Sequence, residues 1–355
     1  MTRLTDPKAT AGVAVRFDAV SIVFGDHPDR ALPLMDKGQS RAEVQKATGQ
    51  VLGVHDCSLD VAEGEILVLM GLSGSGKSTL LRAVNGLNPV CRGAVWVCDG
   101  NGLVDVTHAD AATLRRIRLS RVAMVFQQFG LLPWRTVREN VGLGLELGGM
   151  PPAERRARVD QQLDLVNLTQ WADRKVGDLS GGMQQRVGLA RAFATEAPIL
   201  LMDEPFSALD PLIRAKLQDE LLDLQSTLKR TIVFVSHDLD EAFKLGNRIA
   251  LMEGGRIVQC GTAREIIANP VDEYVQDFVA HMNPLSVLTA RDVMEPGTTA
   301  GPKVAAELPV REVMARMAGG LAEVAVEEAG QIVGVIRWPA LMARLINPQG
   351  KPPTG

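Results

Sequence analysis

The stretch ILVLMGLSGSGKST, residues 66–79, decides the fold. Its first five residues are apolar without interruption, the pattern of a strand covered on both faces. GLSGSGKST (71–79) then satisfies G-x-x-x-x-G-K-[ST]. A helix is expected next, over residues 77–87, stopping at Gly86. Strand, glycine-rich loop and helix in that order make a phosphate-binding loop. Gly71, Gly74 and Gly76 leave the backbone N–H groups free to wrap an anion that a side chain would obstruct. Ser73 and Ser75 complete the cradle. Lys77 neutralises β- and γ-phosphate charge and acts in catalysis, Ser78 offers a hydroxyl to Mg2+, and Thr79 reaches the α-phosphate. The start of the helix adds its partial positive charge.

Further along, ILLMDEP (199–205) is an apolar strand ending in two carboxylates. Asp203 is placed to hold Mg2+ through water, and Glu204 to orient or deprotonate an attacking water. SHD (236–238) closes another apolar strand. In a phosphate-transfer site His237 can contact the γ-phosphate and position that water. Gln127, after VAMVF, can coordinate the metal; its neighbour Gln128 is the competing candidate. LSGGMQQR (179–186) places Ser180, Gly181 and Gly182 at the start of a helix.

Strands alternate with helices over most of the chain, which predicts an α/β fold with a largely parallel sheet. VAVRFDAVSIVF (13–24) alternates like a strand pair. The polar stretch after it contains a capping-box pattern, Ser40 with Glu43, and a stop at Gly49, so a short helix is expected there. Asp110 caps AATLRRIR. Pro151 and Pro152 open another helix, and a long helix runs over 211–229. A helix-rich block at about 129–195 interrupts the alternation and reads as a separate lobe. From residue 286 the character changes to a small α+β module. It comprises LPVREVMARM as helix, two strands around Ala329–Gly330, and WPALMARLI as closing helix. Residues 347–355 are expected to be disordered.

The 355 residues carry a net charge of −4, which gives no electrostatic case for nucleic acid as a partner. The apolar runs fall far short of the ~18 residues that span a bilayer. The N-terminus, MTRLTDPKATAG, lacks the apolar region of a signal peptide. Four cysteines without a C-x-x-C pair indicate reduced thiols and a cytosolic setting.

Taken in order, these motifs resemble the ATP-binding subunits of ABC transporters, over residues ~15–280. The resemblance implies a P-loop ABC-type nucleotide-binding domain (1–282) with ATP and Mg2+ as its cofactors. Gln127 would be the Q-loop glutamine, Asp203 and Glu204 the Walker B pair, SALD (207–210) the D-loop and His237 the switch histidine. It also implies a homodimer packed head to tail, in which Ser180, Gly181 and Gly182 of one copy cap the γ-phosphate held by the other. Asp210 would then lie at the seam. Phe24 matches the aromatic residue that stacks on adenine, set further upstream by an insertion at about 25–53. That insertion, with MVFQQFGLLPWRTVRENV, is similar to the quaternary-amine importers of glycine betaine, proline betaine and choline, closest to the choline-transport ATPase. This implies permease subunits in the membrane, a periplasmic or extracytoplasmic binding protein, and a position on the cytoplasmic face of the inner membrane. Another importer, an efflux system or a soluble ABC ATPase is the alternative. Residues 286–346 resemble a single CBS module. GVIRWPALM lacks the hydroxyl and acidic residue of adenosyl-ligand sites, which leaves a structural or dimer-contact role beside nucleotide sensing.

Overall fold

The computed structural model describes residues 12–207, 209–280, 285 and 287–346. The N-terminal stretch expected to lack a signal (1–11) and the tail expected to be disordered (347–355) lie outside the described residues, as does Ala208 of SALD. The chain divides into two units, Met1–His237 with Met252–Ile257, and Asp238–Leu251 with Val258–Gly355.

In the first unit, β1 (Val13–Phe24) is one strand of twelve residues, not the expected pair. The local irregularity is a bulge: Ala19 has φ 49, and the register with the neighbouring strand shifts between Phe17 and Val20. The Ala19 N–H is taken up by Ser58 Oγ at 3.0 Å. Two short helices follow, α1 (Pro28–Asp36) and α2 (Arg41–Thr48), before β2 (Val51–Ala62). The sequence pointed to α2 alone. Its capping box is present, with Ser40 and Glu43 bonded reciprocally and Gly49 in the left-handed conformation. Both helices dock through a small apolar cluster of Val23, Ala31, Met35, Val44 and Leu52.

Next come β3 (Ile66–Met70), α3 (Lys77–Ala83), β4 (Arg92–Cys98) and β5 (Leu103–Asp105). An antiparallel sheet has the order β2-β1-β4-β5. Helix α4 (Ala111–Ser120) starts where Asp110 accepts the Thr113 N–H at 2.7 Å, and β6 (Val122–Val125) follows. Helices α5 (Val137–Val141), α6 (Leu143–Leu147), α7 (Pro152–Leu165) and α8 (Gly181–Ala194) share one core that includes Val141, Leu163, Val187 and Ala190. The chain then returns through β7 (Ile199–Asp203), α9 (Pro211–Leu228) and β8 (Thr231–Val235).

Strands β3, β8, β7 and β6 pair parallel in that order. Every residue of β3, β7 and β8 is buried, which explains their unbroken apolar sequences. Each apolar side chain among them contributes about 1.5–3 kcal/mol on burial. The parallel arrangement brings the ends of four strands to one edge: Gly71 after β3, Gln127 after β6, Asp203 and Glu204 at β7, and His237 after β8. Ligands of open α/β sheets bind at that edge.

The second unit contains α10 (Leu239–Leu245) and parts of β9 (Arg248–Glu253) and β10 (Arg256–Gly261), whose connecting turn counts with the first unit. Helices α11 (Ala263–Ala268), α12 (Glu273–Ala280) and α13 (Ala290–Val293) lead to β11 (Lys303–Ala305), α14 (Val310–Met317), β12 (Glu323–Glu328), β13 (Gln331–Arg337) and α15 (Trp338–Ile346). A three-stranded sheet, order β11-β12-β13, packs with α13, α14 and α15 around Val304, Val313, Val326, Ile336 and Leu341. Cys57, Cys91, Cys98 and Cys260 are free thiols. No helix among the described residues is long and apolar enough to cross a membrane.

Candidate nucleotide-binding site

The glycines of the loop after β3 are required for different reasons. Gly71 has φ 143, and a Cβ there would stand 2.1 Å from Met252 O. Gly76 has φ 105, caps α3, and would bring a Cβ within 2.7 Å of Gly53 O. The loop therefore rests directly on other backbone. The β9–β10 turn supports it further, because Gly255 N–H donates to Ser75 O at 3.1 Å and Gly255 O accepts from His55 N–H at 2.7 Å.

Lys77 is buried at the start of α3. Its Nζ donates to Gly71 O at 2.8 Å and Leu72 O at 3.0 Å. Burial lowers its pKa, against the opposing pull of Glu204 and Asp203. Ser75 Oγ is also buried and has no hydrogen-bond partner. A desolvated ammonium hydrogen-bonded only to neutral carbonyls fits an incoming phosphate.

Asp203 is fully buried at the end of β7. Ser78 Oγ donates to its Oδ1 at 2.6 Å, and Arg82 grips its Oδ2 from Nη2 at 2.8 Å and Nε at 3.2 Å. Glu204 sits in the left-handed region, φ 48, with its N–H on Val235 O at 3.2 Å. Its Oε2 accepts Gln127 Nε2 at 2.9 Å, with His237 Nδ1 at 3.4 Å. Three sequence-expected residues therefore meet at one carboxylate. The oxygens of Ser78, Asp203 and Gln127 are hard donors of the kind Mg2+ takes.

These groups face an open cavity of about 700 Å3. Phe24, Ser73, Gly74, Gly76, Lys77, Ser78, Thr79, Gln127, Glu204 and His237 line it, and Gln128 does not. Gly71, Ser75 and Asp203 stand behind its wall rather than in it. Phe24 is 39% exposed at its mouth. Gly53 packs against that ring so closely that a Cβ would come within 2.9 Å of both Phe24 Cε2 and Thr79 Cγ2.

Ser180, Gly181, Gly182 and Asp210 are not among the lining residues. Ser180 Oγ caps α8, accepting Met183 N–H at 3.4 Å, and Asp210 caps α9, accepting Ile213 N–H at 3.0 Å. Two cations went unnoticed in the sequence. Arg82 lies one helical turn from Ser78, a spacing that could have revealed it. Arg41 also lines the cavity, and no local signal pointed to it.

A family model described as ABC transporter matches residues 54–207. The glycine betaine/proline betaine transport system ATP-binding protein ProV of Salmonella typhimurium is 45% identical over 92% of this chain and 82% of its own. The chain belongs to the ATP-binding proteins of the ABC transporter family. Its members include the glycine betaine transport ATP-binding protein OpuAA of Bacillus subtilis, 46% identical over 83% of this chain and 71% of its own. The choline transport ATP-binding protein OpuBA of the same organism is 43% identical over 64% and 58% respectively. Among solved structures, the dimeric post-hydrolysis state of an ATP-binding cassette bound to ADP and Pi superposes with TM-score 0.60. It is 31% identical, over 70% of this chain and 98% of that one. The first unit thus has the P-loop ABC ATPase fold. The protein is an ATP-binding, ATP-hydrolysing subunit of a transport system.

Proposed function

We propose that this ATPase energises import of a quaternary ammonium solute, glycine betaine or choline, through separate membrane permease subunits. Relatives named for betaine and choline transport support the solute class. An extracytoplasmic binding protein delivers the solute, and the subunit sits peripherally on the cytoplasmic face of the membrane. The lobe after Gln127 receives the permease. Trp134 in LLPWRTVREN, 69% exposed, supports contact there.

In the mechanism we infer, the adenine of ATP stacks on Phe24 and its phosphates enter the loop 71–79. Lys77 leaves the carbonyls of Gly71 and Leu72 for phosphate oxygens, a stronger charge-assisted bond. Ser78, Asp203 and Gln127 would hold Mg2+, which would supply positive charge against the phosphates. Glu204 takes the proton of the attacking water, which His237 positions against the γ-phosphate. Gln127 and His237 aim that carboxylate from two sides. Two copies complete the site, with Ser180, Gly181 and Gly182 of each presenting a helix start to the other's γ-phosphate, and Asp210 at the seam. The remaining hydroxyl capacity of Ser180 suits this, since its cap uses only an acceptor lone pair.

Residues 286–346 are read as one CBS-like module, supported by the order of α14, β12, β13 and α15. We assign it a structural or dimer-contact role.

The observation that carries the mechanism is the convergence of Gln127 and His237 on Glu204, inside the cavity that contains Lys77 and Ser78. Glu204→Gln is expected to retain ATP binding while turnover falls at least about a hundredfold. ATPase assays with parallel nucleotide titration test this, and near-normal turnover would remove Glu204 from its role. Uptake of labelled choline and glycine betaine by vesicles containing the assembled transporter tests the solute class.

A further inference from the structure

The segment that separates β1 from β2 contributes a side chain to the nucleotide cavity. Arg41 is the first residue of α2, directly after the Ser40 cap. That cap is well fixed, with Ser40 N–H and Oγ both donating to Glu43 Oε2 at 2.8 Å. From this anchored start the Arg41 guanidinium crosses to the phosphate loop. Nη1 donates to Gly74 O, and Nη2 to Gly53 O, the residue packed beneath the Phe24 ring.

Arg41 is only half buried, yet its Nε is buried and has no partner. Among the described residues no carboxylate pairs with it. Burial lowers its pKa. A desolvated cation balanced by neutral carbonyls alone is costly, and it is stabilised by an anion. Arg41 lines the same cavity as Ser73, Lys77 and Thr79.

We propose that Arg41 is a nucleotide-binding residue: the inserted helix delivers a second cation, beside Lys77, that holds the phosphate charge of a nucleoside polyphosphate. The inference rests on the nucleotide site described above. Arg41 works in two ways. Its charge attracts the phosphates. Its bond to Gly74 O polarises the peptide shared with Ser75, whose N–H donates to Leu72 O at 3.1 Å, and so stiffens the loop that takes the phosphates. A planar guanidinium suits the position because one fork reaches two carbonyls from different segments.

The test is a titration of the full-length protein with ATP and AMP, for wild type, Arg41→Ala and Lys77→Ala. Arg41→Ala is expected to weaken ATP about tenfold, the loss of one charge-assisted contact, and AMP less than about twofold. In steady-state hydrolysis KM for ATP rises by a similar factor while kcat is largely kept. Should Ala disturb folding, Arg41→Gln keeps a polar side chain and removes the charge, and the same ATP-selective loss is expected. Unchanged ATP affinity, or an equal loss for ATP and AMP, overturns the inference. If Lys77→Ala abolishes ATP binding while both Arg41 variants bind normally, the site stands and only the role of Arg41 falls. If Lys77→Ala also binds normally, the site itself is wrong.

Discussion

Gly71 and Gly74 belong to one motif but meet different physical demands. A side chain at Gly71 would collide with Met252 O, 2.1 Å from its Cβ position, and would also be strained at φ 143. A Cβ at Gly74 meets nothing within 4 Å, so its left-handed φ of 80 is the only obstacle. Gly71→Ala is therefore expected to destabilise the protein by about 2 kcal/mol or more and to abolish ATP binding. Gly74→Ala should stay near the lower end of the ~1–3 kcal/mol range for strained backbone. Thermal melts and ATP titration of the two variants check this contrast. The motif residues were legible because their spacing is itself the signal: four strand ends on one sheet edge bring Gly71, Gln127, Asp203 with Glu204, and His237 together. Arg41 was not legible. Its place depends on how a two-helix segment docks, which no local pattern reports.

The two inserted helices show the same division at the scale of elements. α2 could be read from Ser40, Glu43 and Gly49, since a capping box and a left-handed stop are local chemistry. α1 could not. It contains Pro33 and starts at Pro28, residues that read as punctuation, and its stability comes from burying Ala31 and Met35 against distant Val23 and Leu52. β1 was misread as two strands because a bulge at Ala19 breaks its alternation. Removing the cap of α2 tests how far local chemistry holds the insertion. Ser40→Ala should cost about 1 kcal/mol in denaturant unfolding. Because it loosens the start of the helix that bears Arg41, ATP affinity should fall with it. A variant of full stability and affinity would make the cap irrelevant.

For the whole molecule, the insertion is fastened to the body by a charged cluster. Asp36, at the end of α1, pairs with Arg92 of β4 at 2.8 Å and with His55 Nε2 of β2 at 2.9 Å. Arg256 approaches His55 Nδ1 at 3.2 Å and donates to Met35 O at 2.9 Å. The Arg92 guanidinium first, then His55, hold the Asp36 carboxyl well below the usual range. A depressed folded-state pKa stabilises above the unfolded value, near 4, and that contribution is lost as pH falls through the folded one. Asp36→Asn should therefore lower Tm at pH 7, and the gap to wild type should narrow below about pH 4. Melting curves across this window decide it; a gap independent of pH would mean that the carboxylate charge does not matter.

The rest of the phosphate loop against the β9–β10 turn has a consequence for where a working piece of this protein can be cut. Met252 and Gly255 buttress Gly71 and Ser75 from some 180 residues downstream. A fragment that ended after His237 would carry every recognisable signature and still leave the cradle floor unbuilt. A nucleotide-binding fragment with this floor must reach at least Gly255, well beyond His237.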